Sequence, residues 1–188
     1  MKSTPLAIPD VLLLEPPRFT DARGFFSTVW SRQMLSRIGL DVDFVQDNHS
    51  RSIEAGVVRG LHFQRPPSAQ GKLVRVARGA IFDVAVDLRE GSPSYGRHVA
   101  VELSATNWRQ LWVPRGFAHG FCTLEPNTEV LYKVDAPYDA QADGGIAWDD
   151  PALAIDWPVA RGQAILSEKD RAVPRLAAAP APFPRGTW

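Results

Sequence analysis

The chain has 188 residues, 45% hydrophobic and 22% charged, a balance expected of one soluble globular domain spanning 1–188 with a substantial core. Lys plus Arg number 21 and Asp plus Glu number 21, so no strong field is expected to attract nucleic acid or a membrane surface. The single cysteine, Cys122, rules out an internal disulfide framework and points to a reducing, cytoplasmic setting.

In chain order, Val11-Leu12-Leu13-Leu14 is too short for a signal-peptide core or a bilayer span. The clearest helix runs from Ser31 to Gly39, with Ser31 as N-cap, apolar Met34, Leu35 and Ile38, and Gly39 as the stop. Strands follow at Val57–Phe63, Lys72–Ala77, Ala80–Leu88, His98–Leu103, Gln110–Val113, Gly120–Leu124 and Glu129–Val134, separated by Gly and Pro punctuation. The Ala- and Pro-rich stretch from Ala177 to Trp188 is expected to wrap the surface without packing deeply. There is no internal repeat and no linker. Many short strands with few helices predict an all-β antiparallel sandwich or barrel.

Gly79 reads as the tip of a hairpin between Lys72–Ala77 and Ala80–Leu88. That pairing sets Lys72 opposite Ala85, with Asp83 on the diagonal, on a face shared with Val74, Val76 and Ile81. A lysine and an aspartate on an apolar face need each other, or a ligand, to offset desolvation. The opposite face (Phe82, Val84, Val86, Leu88) is apolar too, so the sheet should be covered on both sides and the charged pair should line a cavity.

Two histidines stand in apolar, strand-like phrases: Arg59-Gly60-Leu61-His62-Phe63-Gln64, and Pro114-Arg115-Gly116-Phe117-Ala118-His119-Gly120-Phe121. Imidazole moves protons near neutral pH and also binds metals, so the pair suggests an acid/base site or a metal site. The spacing Pro-x-Gly-x-x-His resembles the second motif of the cupins, small β-barrels that often bind metal. Metal-binding cupins carry a second histidine where this chain has Gln64, a poor transition-metal ligand. A third imidazole, His49, lies in the polar run Gln46-Asp47-Asn48-His49-Ser50-Arg51. Tyr132 alternates with Val130 and Val134, so its ring should point inward and its hydroxyl needs a partner. Arg23, Arg59 and Lys72 supply positive charge suited to a pyrophosphate. Strict alternation puts Arg59 and His62 on opposite strand faces, so both reach one site only if Gly60 permits a bulge or the arginine curls round an edge.

From about Pro9 to Leu176 the chain resembles the dTDP-4-dehydrorhamnose 3,5-epimerases of deoxysugar biosynthesis. The resemblance rests on an ordered series of phrases. These are Asp21-Ala22-Arg23-Gly24-Phe25-Phe26, Gln46 to Ser50, Arg59 to Gln64, Gln70-Gly71-Lys72-Leu73-Val74-Arg75-Val76, Pro114 to Phe121, Tyr132-Lys133, and Leu166-Ser167-Glu168-Lys169-Asp170. It implies a cupin-type jelly roll, a homodimer exchanging N-terminal strands, no metal and no cofactor. It implies His62 as catalytic base paired with Asp170, Tyr132 as proton donor on the opposite face, and Lys72 at the enolate oxygen. By the same resemblance Arg23, Gln46, Asp47, Asn48, Arg59, His119, Asp143 and Lys169 would contact the sugar nucleotide and Tyr138 would stack on its base; Asp83 joins this set from the hairpin face. Two positions depart: Thr28 stands where the family usually has Glu, and Asp143 replaces a common Glu, which leaves nucleotide identity open.

The implied substrate is dTDP-4-keto-6-deoxy-D-glucose, inverted at C3 and C5 to dTDP-4-keto-L-rhamnose. Its C4 ketone acidifies the protons at both centres, and inversion needs a base on one ring face and an acid on the other. Imidazole, with an ordinary pKa of about 6.5, suits the base, and a phenol of about 10 keeps its proton until a carbanion needs it. No Gly-rich dinucleotide fingerprint follows any strand. The competing expectations are a single-centre epimerase, a jelly roll that binds a nucleotide sugar without turning it over, and a metal-dependent cupin.

Overall fold

A computed structural model describes residues 1–179 and 181–188. In chain order the elements are β1 (Lys2–Pro5), β2 (Leu12–Glu15), β3 (Phe19–Asp21), β4 (Gly24–Phe26), α1 (Arg32–Ser36), β5 (Gln46–Ser52), β6 (Val58–Gln64) and β7 (Lys72–Arg78). They continue with β8 (Ala80–Asp87), β9 (His98–Ser104), β10 (Gln110–Val113), β11 (Phe117–Thr123), β12 (Thr128–Val134), β13 (Asp143–Gly145), α2 (Glu168–Ala172) and a 3₁₀ turn at Leu176–Ala178. The strands form one six-stranded sheet, β1-β2-β10-β7-β12-β5, one five-stranded sheet, β13-β6-β11-β8-β9, and the separate hairpin β3-β4.

The two large sheets pack face to face, as the all-β sandwich expectation requires. Val74, Val76, Leu111, Val113 and Val130 of the first meet Ile81, Ala85, Val99, Leu103, Phe117 and Phe121 of the second. Each sheet is also covered outside. Leu61, Val84, Val86 and Leu88 pack beneath Ile146, Leu153 and Phe183, while Leu73 and Trp112 pack beneath Leu35 of α1. β8 is therefore apolar on both faces because both are covered, as expected.

The hairpin expected at Gly79 does not form. β7 pairs with β10 and β12, whereas β8 pairs with β9 and β11. The turn at Gly79 (φ +75°) carries the chain from one sheet to the other instead of folding it back in the same sheet. A side chain there would meet Thr128 Oγ1 at 2.3 Å, so the corner requires glycine. A two-sided apolar strand needs two neighbours and cover on both faces, which a sandwich corner supplies and an isolated hairpin does not. Lys72 and Asp83 thus face each other across the interior, not along a ladder.

Helix α1 is shorter than the expected Ser31–Gly39, but Ser31 does cap it, its Oγ accepting from the Met34 N–H at 3.1 Å, and Gly39 follows with φ +82°. The C-terminal stretch departs from expectation. Phe183 is buried and stacks edge-on against Phe63 with centroids 5.8 Å apart. Pro180 lies outside the described residues. Among the described residues, no helix is long and apolar enough to cross a membrane.

Candidate active site

The site begins with an irregularity in β6. His62 pairs with His119 of β11, yet Arg59, three residues earlier, pairs with Phe121, two residues later. The extra residue on β6 is a bulge, so Arg59 and His62 both turn to the inner face and line one cavity. The bulge depends on two glycines. A side chain on Gly60 (φ +129°) would meet the Gly120 Cα at 2.5 Å, and one on Gly120 would meet the Arg59 carbonyl oxygen at 2.8 Å. Of the two ways Arg59 and His62 could share a site, the bulge is the one the chain uses.

The cavity holds about 390 Å³ between the sheets. His62 and His119 enter it from the five-stranded sheet, and Lys72 and Tyr132 from the six-stranded sheet. His62 Nε2 lies 2.5 Å from Asp170 Oδ1; the imidazole is 30% exposed and the carboxylate 5%. Ser167 caps α2 by accepting from the Asp170 N–H at 3.1 Å, which fixes the carboxylate under the ring. Burial works to raise the Asp170 carboxyl, but the His62 imidazole, the Ser167 hydroxyl and the Lys169 ammonium outweigh it and hold the group below its usual range.

A second imidazole–carboxylate pair lies deeper. His119 Nε2 sits 2.7 Å from Asp83 Oδ1, and the Asp83 side chain is fully buried. Burial lowers the Lys72 ammonium to about 8, against the opposing charges of Asp83 and Asp143. Lys72 Nζ approaches the His62 carbonyl at 3.4 Å. Burial raises the Tyr132 phenol, only partly countered by the Arg59 guanidinium, so it keeps its proton at neutral pH. Its ring packs on the inner core, as its alternation with Val130 and Val134 implies.

The other expected site residues divide into three groups. Arg59 lines the cavity and is steadied by the Ser52 hydroxyl (3.3 Å) and the Arg51 carbonyl (3.2 Å). Gln46, Asn48, Tyr138, Asp143 and Lys169 form a linked polar chain at the rim. Gln46 donates to Asn48 Oδ1 (2.8 Å) and accepts from the Tyr138 N–H (3.1 Å), the Tyr138 hydroxyl donates to Asp143 (3.1 Å), and Asp143 pairs with cavity-lining Lys169. Of that polar chain only Lys169 lines the cavity itself, and three further residues are neither in the lining nor linked to it. Asp47 points to the opposite side of β5 and pairs with Lys133 (2.6 Å). Arg23 is exposed on the β3–β4 turn and bound to Asp21 (2.6 Å). Asp83 sits buried behind His119.

His49 also faces outward, 3.1 Å from Glu129. The Gln64 amide is committed to loops: its NH₂ donates to the Ser68 and Pro137 carbonyls and its oxygen accepts from the Asp139 N–H. Among the described residues, no group of three His, Cys, Asp or Glu side chains is arranged to hold a metal ion. Ser50 and Ser167 also line the cavity and were not singled out as site residues. Ser167 carries a readable signal, an N-cap serine three residues before Asp170. Ser50 carries none, because β5 has no apolar residues to mark it as a strand.

A family model described as dTDP-4-dehydrorhamnose 3,5-epimerase matches residues 5–178. The dTDP-4-dehydrorhamnose 3,5-epimerase of Sinorhizobium fredii is 54% identical over 178 residues, 95% of this chain and 91% of the relative. The crystal structure of the Bacillus anthracis dTDP-4-dehydrorhamnose 3,5-epimerase, with TDP and PPi bound, aligns with TM-score 0.90 and 52% identity over 93% of this chain and 99% of its own. That of the Legionella pneumophila dTDP-6-deoxy-D-glucose-3,5-epimerase, in complex with dTDP-4-keto-L-rhamnose, aligns with TM-score 0.93 and 43% identity over 98% and 97%. The fold shared with these neighbours is the cupin-type jelly roll expected from the sequence.

Proposed function

The chain belongs to the dTDP-4-dehydrorhamnose 3,5-epimerase family and is an isomerase inverting C3 and C5 of dTDP-4-keto-6-deoxy-D-glucose, and from that premise we propose how its side chains divide the work. The observation that carries the proposal is that His62 and Tyr132 line one cavity from opposing sheets, with Lys72 beside them. A ring lying between them meets a base on one face and an acid on the other.

His62, its Nε2–H held by Asp170, takes the carbon-bound proton on its free Nδ1. The electron pair of the broken C–H bond moves into the C4 carbonyl, and the resulting enolate oxygen is met by the Lys72 ammonium. Tyr132 then gives its proton to the carbon from the other face, the electron pair returns from the oxygen, and the phenolate and imidazolium exchange with solvent. Asp170 holds the imidazole tautomer and favours the cation that forms. The reading calls for no cofactor, because the substrate's own ketone is the electron sink. Arg59, His119 and the rim chain of Gln46, Asn48, Tyr138, Asp143 and Lys169 fit the sugar and nucleotide contacts.

The working unit in this proposal is a homodimer of single 188-residue domains in the cytoplasm, where Cys122 stays reduced. The β3–β4 hairpin supports it: among the described residues it pairs with no other strand, and it exposes Phe19, Phe25 and Phe26. Arg23 at its tip lies outside the lining of its own chain's cavity, and in the dimer it would meet the nucleotide in the partner's cavity.

The test is proton NMR of the product formed from dTDP-4-keto-6-deoxyglucose in deuterium oxide. Deuterium at both C3 and C5 is expected, and exchange should vanish in His62→Ala. Label at one carbon only would move the chain to the single-centre epimerases, and full exchange in His62→Ala would remove His62 as the base.

A further inference from the structure

We propose that Asp83 is a positioning residue for the reaction: one carboxylate oxygen fixes the His119 ring, and the other, buried without a partner, keeps the Lys72 side chain charged. Asp83 has no exposed surface and so does not touch substrate. Its Oδ1 is taken by His119 at 2.7 Å, while Oδ2 has no hydrogen-bond partner among the described residues. A buried carboxylate oxygen left in this state is costly unless a nearby cation compensates it.

Lys72 faces it across the interior, on β7 of one sheet against β8 of the other. The groups around Lys72 come from every neighbouring element. β6 supplies Arg59 and the His62 carbonyl, β11 His119, β12 Tyr132, β13 Asp143, and the start of α2 Lys169 and Asp170. Burial and Lys169 work against the ammonium; Asp83 and Asp143 favour it. Asp143 is at the rim and already engaged by Lys169 and Tyr138. Asp83 is the anion wholly out of water, where charge is least screened.

The inference rests on the assignment of Lys72 to the enolate oxygen. Replacing Asp83 by its uncharged isostere, Asp83→Asn, should move the alkaline fall of kcat to lower pH by about one unit, roughly a fivefold loss near pH 8 that approaches tenfold at higher pH and narrows as the pH is lowered. KM should change by less than about twofold, and in a Lys72→Met background the substitution should add little further loss. A profile of unchanged shape, with kcat lowered equally at every pH, overturns the proposal, as do losses that multiply in the double variant. Undiminished kcat in Lys72→Met instead overturns the enolate assignment, so the two failures are told apart. Should Asp83→Asn not fold, thermal melts of Lys72→Met decide. With Asp83 deprived of its cation, the melting temperature should shift in the variant's favour relative to the parent between about pH 6.5 and pH 4, where the parent's Lys72 is already fully charged. Parallel curves overturn the coupling.

Discussion

His62–Asp170 and His119–Asp83 are the same chemical pair in two environments, and the environment sets the role. The first imidazole is part-exposed and open to a substrate; the second reaches the cavity only with its edge, its carboxylate fully buried. Asp170→Asn keeps the shape but removes the charge that favours an imidazolium, so kcat should fall by roughly 10²–10⁴ with little change in KM. The same variant reports on stability. The Asp170 carboxyl lies below its ordinary range in the folded chain, so its contribution is in place above about pH 4 and is lost as pH falls through the lower folded value. Thermal melts of Asp170→Asn should therefore lose steepness on the acid side, and an unchanged acid limb would count against the pairing. Tyr132→Phe should still exchange protons for deuterium at the carbon His62 attacks while failing to invert C5; normal product would remove Tyr132 as the donor.

At the scale of single elements, the bulge in β6 lets Arg59 and His62 share a face, and the close approach of Gly60 and Gly120 lets the bulge exist. Gly60→Ala puts a methyl 2.5 Å from the Gly120 Cα at a backbone angle that disfavours any side chain, so a loss of about 1–3 kcal/mol is expected. The activity loss should exceed what the lowered melting temperature explains, because straightening β6 would turn Arg59 out of the cavity. Parent-like kcat and melting temperature would show the bulge to be dispensable. A bulge at Gly60 was one of two arrangements that the spacing of Arg59 and His62 allowed, and only the strand register decided for it. β5 was not legible. Its residues, Gln46 to Ser52, alternate in burial but not in hydrophobicity, because its inner side chains face a polar rim.

For the whole molecule, the hairpin β3–β4 is the part that a lone chain leaves unexplained, with Phe19, Phe25 and Phe26 all more than half exposed. Phe26→Glu should shift the proposed dimer towards monomer in sedimentation and lower activity while the fold, read by circular dichroism, survives; an unaltered sedimentation profile would place the dimer contact elsewhere. Much of the rest follows from local chemistry. Gly and Pro punctuation with short β-branched runs yields the all-β class and the Ser31 cap yields α1, while the ordered phrases around His62, Lys72, Tyr132 and Asp170 name the groups that share the cavity through the family resemblance they carry. Which strand lies beside which is a different matter. Alternation tells a side chain's face but not its sheet, and pairing joins residues far apart in the chain, so Gly79 was readable as a turn but not as a corner between sheets. Lys72 and Asp83 face each other across the interior for that reason, Asp47 and His49 turn outward, and Arg23 stays clear of its own chain's cavity. Residue chemistry chose the reactive groups; non-local strand pairing chose their neighbours.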